Sequence, residues 1–323
     1  MAKVLISGEI FADAVGRLLA ADHDVTHQTE RSPMPRDDLL EEIRKTDALI
    51  SMASDRIDAE LLGQAPELQI VANVAVGYEN IDTKAARKRS IAVTHTPDVL
   101  TETTADLTIA LLLALARKIP GGDRDVRRGA FEGWALMQPW MGFDAYGKTL
   151  GILGMGRIGK AVARRGHHGF GMKVLYHNRN RDLPAERELG AVHVSLDRLL
   201  QESDFVCVHV PFTPSTFHLL GAVEFRRMKR TAYLINVARG PVIDEQALVD
   251  ALEAETIAGA GLDVYENEPS VHPGLIALED RTVLLPHIGS ATEETRRAMA
   301  NMAVDNVLAA LSGREPPNLV PVA

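Results

Sequence analysis

Three short stretches carry side chains whose types fit anion binding and proton transfer: Asn236-Val237-Ala238-Arg239-Gly240, Asp263-Val264-Tyr265-Glu266-Asn267-Glu268-Pro269 and Pro286-His287-Ile288-Gly289-Ser290. Arginine offers a planar fork that grips a carboxylate at two points, and Arg239, just ahead of Gly240-Pro241, is placed to project such a fork. Histidine has an ordinary pKa of about 6.5, so His287 is a candidate general acid/base at neutral pH. A carboxylate beside it would hold its tautomer and favour the imidazolium, and Glu268 can supply one. Taken singly, each residue also reads as an ordinary surface group, since the chain has 11 histidines and 44 acidic residues. Their joint placement after successive aliphatic runs is what selects them.

A second kind of chemistry comes from Thr149-Leu150-Gly151-Ile152-Leu153-Gly154-Met155-Gly156-Arg157-Ile158-Gly159. Gly154 permits a tight turn, Gly156 lets backbone approach a pyrophosphate, and Gly159 lets a helix pack close to the preceding strand. Phosphate then faces unpaired helix amides. The alternative is a loop that merely turns a corner, but an aliphatic strand precedes the motif and a second one follows at residues 173–176, as a dinucleotide site requires. After that strand stands Asn178-Arg179-Asn180-Arg181. A carboxylate there would accept hydrogen bonds from a ribose 2′-hydroxyl and repel a 2′-phosphate. Arginines do the reverse, so the stretch predicts NADP(H) as the preferred cofactor; the alternative is that these arginines are a solvated loop and NAD(H) is accepted as well. A bound nicotinamide also gives Arg239 and His287 a use: a cation holds the substrate, and a proton donor serves the oxygen that becomes charged as hydride arrives.

These groups need elements to position them. Up to residue 97, short aliphatic runs alternate with amphipathic segments, the signature of a parallel sheet covered by helices. Strands are predicted at 3–7, 24–26, 48–51, 70–74 and 91–94, and helices at 11–20, 36–45 and 58–64. After the fourth strand, Ala75-Val76-Gly77-Tyr78 reads as a glycine turn that offers amides to a small anion, or as a plain strand-to-helix turn. Residues 101–118 form the longest helix candidate, with an apolar face that makes it a core helix. Residues 120–146 break the periodicity and hold both tryptophans, Trp134 and Trp140; an arm that docks on a second subunit is the preferred reading over a lid on its own chain. Further strands at 191–194, 205–210, 232–236, 259–262 and 282–285 complete a second sheet, and a last helix runs from 290 to about 311. The fold class is therefore α/β, with two doubly wound parallel-sheet domains.

At 323 residues the chain exceeds one typical core, and 46% hydrophobic with 24% charged residues is an ordinary globular balance. A net charge of -9 without a basic block argues against nucleic acid as a partner. The single cysteine, Cys207, lies in Phe205-Val206-Cys207-Val208 and reads as a buried small hydrophobe. No apolar run approaches a membrane span and no targeting feature is seen, so the expectation is a cytoplasmic protein. No metal site is expected.

On these motifs, together with His209-Val210-Pro211-Phe212-Thr213-Pro214-Ser215-Thr216, the chain resembles the D-isomer-specific 2-hydroxyacid dehydrogenases almost end to end. Among them it is similar to glyoxylate/hydroxypyruvate reductases. The resemblance implies that Arg239 orients the substrate, that His287 is the acid/base with Glu268 as its partner, and that Val76 and Gly77 bind the substrate carboxylate. Beyond the glycine motif it implies that Thr104, Pro211, Thr216, Val237, Ala238, Asp263 and Gly289 line the cofactor, next to Met155, Arg157, Ile158, Asn178, Arg179 and Arg181. It implies a discontinuous, flavodoxin-like substrate-binding domain (1–99 with 288–323), a Rossmann cofactor domain (100–287), a cleft between them, and a homodimer. The expected activity is reduction of small 2-oxo acids, glyoxylate and hydroxypyruvate first, to 2-hydroxy acids. Dehydrogenation of another small acid on the same scaffold and a dinucleotide-sensing co-regulator stay open as alternatives. Formate-oxidising relatives use glutamine where Glu268 stands, and no added tail or basic segment supports a regulator.

Overall fold

The runs Val4-Leu5-Ile6, Ala48-Leu49-Ile50 and Ile70-Val71-Ala72 are buried throughout, which is the condition of central parallel strands covered by helices on both faces. A computed structural model describes residues 1–30 and 32–321. Contacts divide the chain into two units, Met1–Leu100 with Ser290–Ala323, and Thr101–Gly289. The second unit keeps Ile288 and Gly289, because their N–H groups donate to Asp263, each at 2.7 Å, and the Gly289 carbonyl accepts from Thr104 Oγ1 at 3.2 Å.

The first unit begins β1 (Lys3–Ile6), α1 (Ala12–Ala20), β2 (Asp24–His27), α2 (Arg36–Glu42), β3 (Ala48–Ser51), α3 (Ala59–Gly63), β4 (Ile70–Asn73), α4 (Thr83–Lys88) and β5 (Ala92–Thr94). Its five strands are parallel in the order β2-β1-β3-β4-β5. Helix α4 lies where no element was predicted. Its Thr-Lys-Ala-Ala-Arg-Lys sequence lacks a long apolar stripe, and its start is fixed by Asp82, whose side chain accepts from Ala85 N–H.

The second unit opens with α5 (Thr101–Ala116) and α6 (Ile119–Arg127). The predicted helix over 101–118 is thus shorter, because Lys118 takes a left-handed backbone, φ 53°, and caps a new helix. The irregular stretch predicted from residue 120 is shorter too. Pro120 looks like a breaker but sits in the first turn of α6, where its missing N–H costs nothing. Then come β6 (Thr149–Leu153), α7 (Arg157–Phe170), β7 (Lys173–His177), α8 (Leu183–Leu189), β8 (Val192–His193), α9 (Leu196–Glu202), β9 (Phe205–Val208), α10 (Ala222–Phe225), β10 (Tyr233–Asn236), α11 (Glu245–Glu253), β11 (Gly259–Leu262), α12 (Pro273–Ala277) and β12 (Thr282–Leu284). All pairings are parallel, in the order β12-β11-β10-β9-β6-β7-β8. The order reverses between β6 and β9, and the crevice beyond the carboxyl ends at such a switch point is where α/β sheets bind ligands.

Cys207 is fully buried in β9, and burial pushes its thiol up, so it is a packing residue. The chain closes with α13 (Glu293–Leu311), capped by Thr292, whose Ala300, Ala303, Val304 and Val307 pack on the first unit's sheet. No helix among the described residues is long and apolar enough to cross a membrane.

Candidate active site

Three neighbouring strands of the second sheet, β10, β11 and β12, carry Arg239, Glu268 and His287 beyond their carboxyl ends. His287 Nδ1 lies 2.8 Å from Glu268 Oε2. Facing a carboxylate, Nδ1 donates, which leaves Nε2 as the nitrogen free for proton exchange. Burial pushes Glu268 up, but His287, the Tyr265 N–H at 3.0 Å and the Arg239 guanidinium together outweigh it and hold the carboxyl below its usual range. Glu268 is therefore a carboxylate at neutral pH.

His287 itself has φ 54°, a left-handed conformation that costs a non-glycine residue about 1 kcal/mol. Asp263 holds it there by accepting the next two N–H groups in the chain, those of Ile288 and Gly289. Asp263 is buried, which pushes its carboxyl up, with those two N–H groups and His287 opposing the shift.

Arg239 sits on a loop braced by Asn236, whose Oδ1 accepts from Ala238 N–H at 3.0 Å and whose Nδ2 donates to the Arg239 carbonyl at 3.0 Å. Its Nη1 donates to the Ala238 carbonyl at 2.7 Å. A Cβ at Gly240 would stand 1.9 Å from the Tyr265 carbonyl, so only glycine lets this loop touch the one that carries Glu268. Glu245 and Glu266 reinforce that contact by exchanging bonds, Glu266 N–H to Glu245 Oε1 at 2.6 Å and Glu245 N–H to Glu266 Oε2 at 3.4 Å.

At the switch point, Gly154 has φ 104°, and a Cβ there would meet the His209-Val210 backbone at 2.7 Å. A side chain is excluded twice, by conformation and by space. Gly156 caps α7 without any side-chain hydrogen bond, and a Cβ on it would meet nothing within 4 Å. The space beside Gly156 at the start of α7 is thus open, which fits a pyrophosphate at a helix N-terminus. Gly159 abuts the Gly154 carbonyl, 2.2 Å from where its Cβ would be. Met155 N–H donates to Asn178 Oδ1 at 2.8 Å, which ties the glycine turn to the end of β7. Met155 is buried, whereas Arg157 is exposed and Ile158 half-buried on the first turn of α7.

Arg179 is exposed, and Arg181 is held by Glu186, with Nε 3.0 Å from Oε1 and Nη2 on Oε2. That guanidinium and the Tyr176 hydroxyl hold the Glu186 carboxyl down to about 2. Thr216 Oγ1 donates to the Pro211 carbonyl at 2.8 Å and closes the loop after β9. Val237 and Ala238 follow β10 beside the braced loop. His209 has an Nε2 that is buried with no partner among the described residues, and burial lowers its imidazole to about 3, so the ring is neutral. Sequence reasoning quoted His209 only as part of a motif; a histidine that ends a buried aliphatic strand was the available signal.

In the first unit, Val76 and Gly77 follow β4. Their carbonyls accept from His95 Nδ1 at 2.8 Å and Asn73 Nδ2 at 2.9 Å. Trp140 packs on Gly121, where a Cβ would lie 2.2 Å from its ring, and donates to Asp125, whereas Trp134 is 80% exposed. No group of three or more metal-ligating side chains occurs among the described residues.

Comparison with known proteins gives consistent matches. Residues 109–289 match the family described as D-isomer specific 2-hydroxyacid dehydrogenase, NAD binding domain. The glyoxylate reductase of Korarchaeum cryptofilum is 51% identical over 292 residues, covering 90% of this chain and 87% of that protein. That of Pyrococcus horikoshii is 49% identical over 321 residues, covering 98% and 95%. A crystal structure of an NADPH-dependent glyoxylate/hydroxypyruvate reductase from Sinorhizobium meliloti, in complex with NADP and malonate, superposes with a TM-score of 0.85 at 36% identity, covering 99% of this chain and 96% of that one.

Proposed function

This chain belongs to the D-isomer-specific 2-hydroxyacid dehydrogenase family, and we propose that it reduces glyoxylate and hydroxypyruvate with NADPH preferred over NADH. It is an oxidoreductase that converts small 2-oxo acids to 2-hydroxy acids with a reduced nicotinamide nucleotide. The observation that carries the residue assignment is the 2.8 Å contact between His287 and Glu268, on loops packed together with that of Arg239.

A reduced nicotinamide, once held by the cofactor-site residues named below, would supply the hydride that the substrate carbonyl carbon takes up. Arg239 holds the substrate through charge-assisted hydrogen bonds and stabilises the oxygen as negative charge develops on it. His287 gives that oxygen the proton on Nε2, and Glu268, ionised beside Nδ1, stabilises the imidazolium beforehand and keeps the ring oriented afterwards. The turn at Val76 and Gly77 takes the substrate carboxylate. Gly154, Gly156 and the first turn of α7 take the pyrophosphate, and Thr104, Pro211, Thr216, Val237, Ala238, Asp263 and Gly289 line the remainder of the cofactor site.

Support for NADPH comes from the absence of a carboxylate after β7, where Asn178 is followed by exposed Arg179, and from the NADPH-dependent relative. Support for a homodimer comes from Phe131, Trp134, Leu136 and Met137, each at least 65% exposed, since contiguous apolar exposure of this kind marks an interface. Following absorbance at the nicotinamide band with a panel of 2-oxo acids and both cofactors tests the activity. Failure to oxidise NADPH with glyoxylate or hydroxypyruvate, together with turnover of some other 2-oxo acid, would overturn the substrate assignment.

A further inference from the structure

Three successive carbonyls in the turn after β4 are tied to donors: Ala75 to Thr96 N–H at 2.8 Å, Val76 to His95 Nδ1 at 2.8 Å and Gly77 to Asn73 Nδ2 at 2.9 Å. In a planar trans peptide the carbonyl and the following N–H point in opposite directions. Each tie therefore aims the next amide away from its donor, and the amides so directed are those of Val76, Gly77 and Tyr78. Among the described residues, none of these three N–H groups has an acceptor in the protein. Consecutive outward amides of this kind form a receptor for an anion.

The two side chains that make the ties are themselves held in place. Asn73 is fully buried at the end of β4, and its Oδ1 accepts from Ser51 Oγ at 3.1 Å. A buried amide is costly unless its groups are paired, and an apolar residue would fill a strand end more cheaply. Asn73 is paired throughout, and the group it holds is the Gly77 carbonyl. The His95 ring meets Tyr78 edge-on, 5.7 Å between centroids at 89°, and its backbone N–H donates to the Asn318 carbonyl at 3.1 Å. Asn80 braces the far side of the turn, donating to the Asp55 carbonyl at 2.9 Å.

We infer that His95 and Asn73 are positioning residues that hold the Val76, Gly77 and Tyr78 amides as a preformed carboxylate receptor, and so set substrate affinity without touching the reacting carbonyl. The inference rests on the reading of the Val76-Gly77 turn as the carboxylate site. Dipoles fixed before binding need no reordering when the anion arrives, whereas a released turn must be refixed each time. Loss of one tie should cost about tenfold in affinity, the scale of immobilising one residue's backbone.

The test compares His95→Phe, which keeps a ring against Tyr78 but has no donor, with His95→Asn, whose amide nitrogen reaches the position of Nδ1. Asn73→Ala serves as an independent second variant. For each, KM for glyoxylate, kcat, KM for NADPH and the inhibition constant of oxalate are measured, oxalate having a carboxylate but no reducible carbonyl. Expected for His95→Phe and Asn73→Ala are parallel rises of about tenfold in the glyoxylate KM and the oxalate constant, with kcat and the NADPH KM within about twofold, and recovery of most of that loss in His95→Asn. A His95→Phe enzyme with an unchanged glyoxylate KM, or one in which kcat falls instead, overturns the inference. Gly77→Asp separates this from failure of the site reading. Gly77 has no left-handed backbone, so a side chain is tolerated conformationally, and a carboxylate there should repel the substrate and raise KM steeply. If Gly77→Asp leaves KM unchanged, the carboxylate site lies elsewhere; if it raises KM while His95→Phe does not, only the roles of His95 and Asn73 fall.

Discussion

Exchanging Asn178→Asp together with Arg179→Ile should turn the proposed preference for NADPH into one for NADH, and the structure makes this a clean perturbation. Asn178 Oδ1 accepts the Met155 N–H at 2.8 Å. An aspartate oxygen can accept the same bond, so the glycine turn stays tied to β7 while a charge is added. Arg179 is exposed, so its hydrogen bond to a 2′-phosphate belongs at the low end of the charge-assisted range, about 1.5 kcal/mol or roughly tenfold. The new carboxylate would repel a 2′-phosphate by about 1 to 2 kcal/mol at contact distance in water and gain about 1 kcal/mol by accepting from a ribose 2′-hydroxyl. The combined change in the ratio of kcat/KM values is roughly 3.5 to 4.5 kcal/mol, several hundredfold or more. Arg181 should matter far less, because Glu186 already engages two of its nitrogens; Arg181→Ala is expected to move the ratio by less than about threefold. The assay is kcat/KM for each cofactor at saturating glyoxylate, for the native chain and both variants. A native preference for NADH, an unmoved ratio in the double variant, or a large effect of Arg181→Ala alone would refute the assignment of discrimination to residues 178 and 179.

Arg239→Lys keeps the charge but loses the fork, so kcat/KM should drop by one or more factors of ten, each about 1.4 kcal/mol; steady-state kinetics equal to the native enzyme would remove Arg239 from the site. Glu268→Gln removes the carboxylate that accepts from His287 Nδ1, so the ring loses the partner that orients it and maximal kcat should fall about tenfold or more in both directions of reaction; an unaltered kcat would dismiss Glu268 as the partner. Glu186, held at about 2 against an ordinary value of 4.5, contributes stability that is fully present above its ordinary range and is lost as pH falls toward 2. Glu186→Gln should therefore lower Tm at pH 7 and have a vanishing effect near pH 2, and an equal effect at both would contradict the assignment. Light scattering at working concentration should give twice the chain mass, and a monomer would defeat the dimer proposal.

The strands were legible because buried parallel strands are continuous aliphatic runs, and β3 and β11 were placed to the residue. Elements without that signal were missed or misread. Helix α4 is held by its Asp82 cap rather than by a long apolar stripe, and α6 hides behind Pro120-Gly121-Gly122. The same division runs through the candidate site. Arg239, Glu268 and His287 could be named because each follows an aliphatic run, and the glycines could be named because their spacing is itself the signal. The bonds of Asn73 and His95 to the turn after β4, and of Asn178 to Met155, depend on which residues meet in space and leave no pattern along the chain.

Strand order supplies what spacing cannot. Glu268 and His287 are 19 residues apart in sequence, but β10, β11 and β12 are parallel neighbours, so their carboxyl ends are successive positions about 4.8 Å apart along one sheet edge. A loop a few residues long is then enough to bring a carboxylate onto an imidazole. A Cβ at Gly240 would prevent the Arg239 loop from closing against Tyr265, and without Asp263 the left-handed backbone of His287 would lose the two bonds that fix the N–H groups after it. The geometry proposed for catalysis therefore depends on groups that need not touch the substrate, so a Gly240→Ala chain should fold around the same sheet yet lose the register between the Arg239 and Glu268 loops.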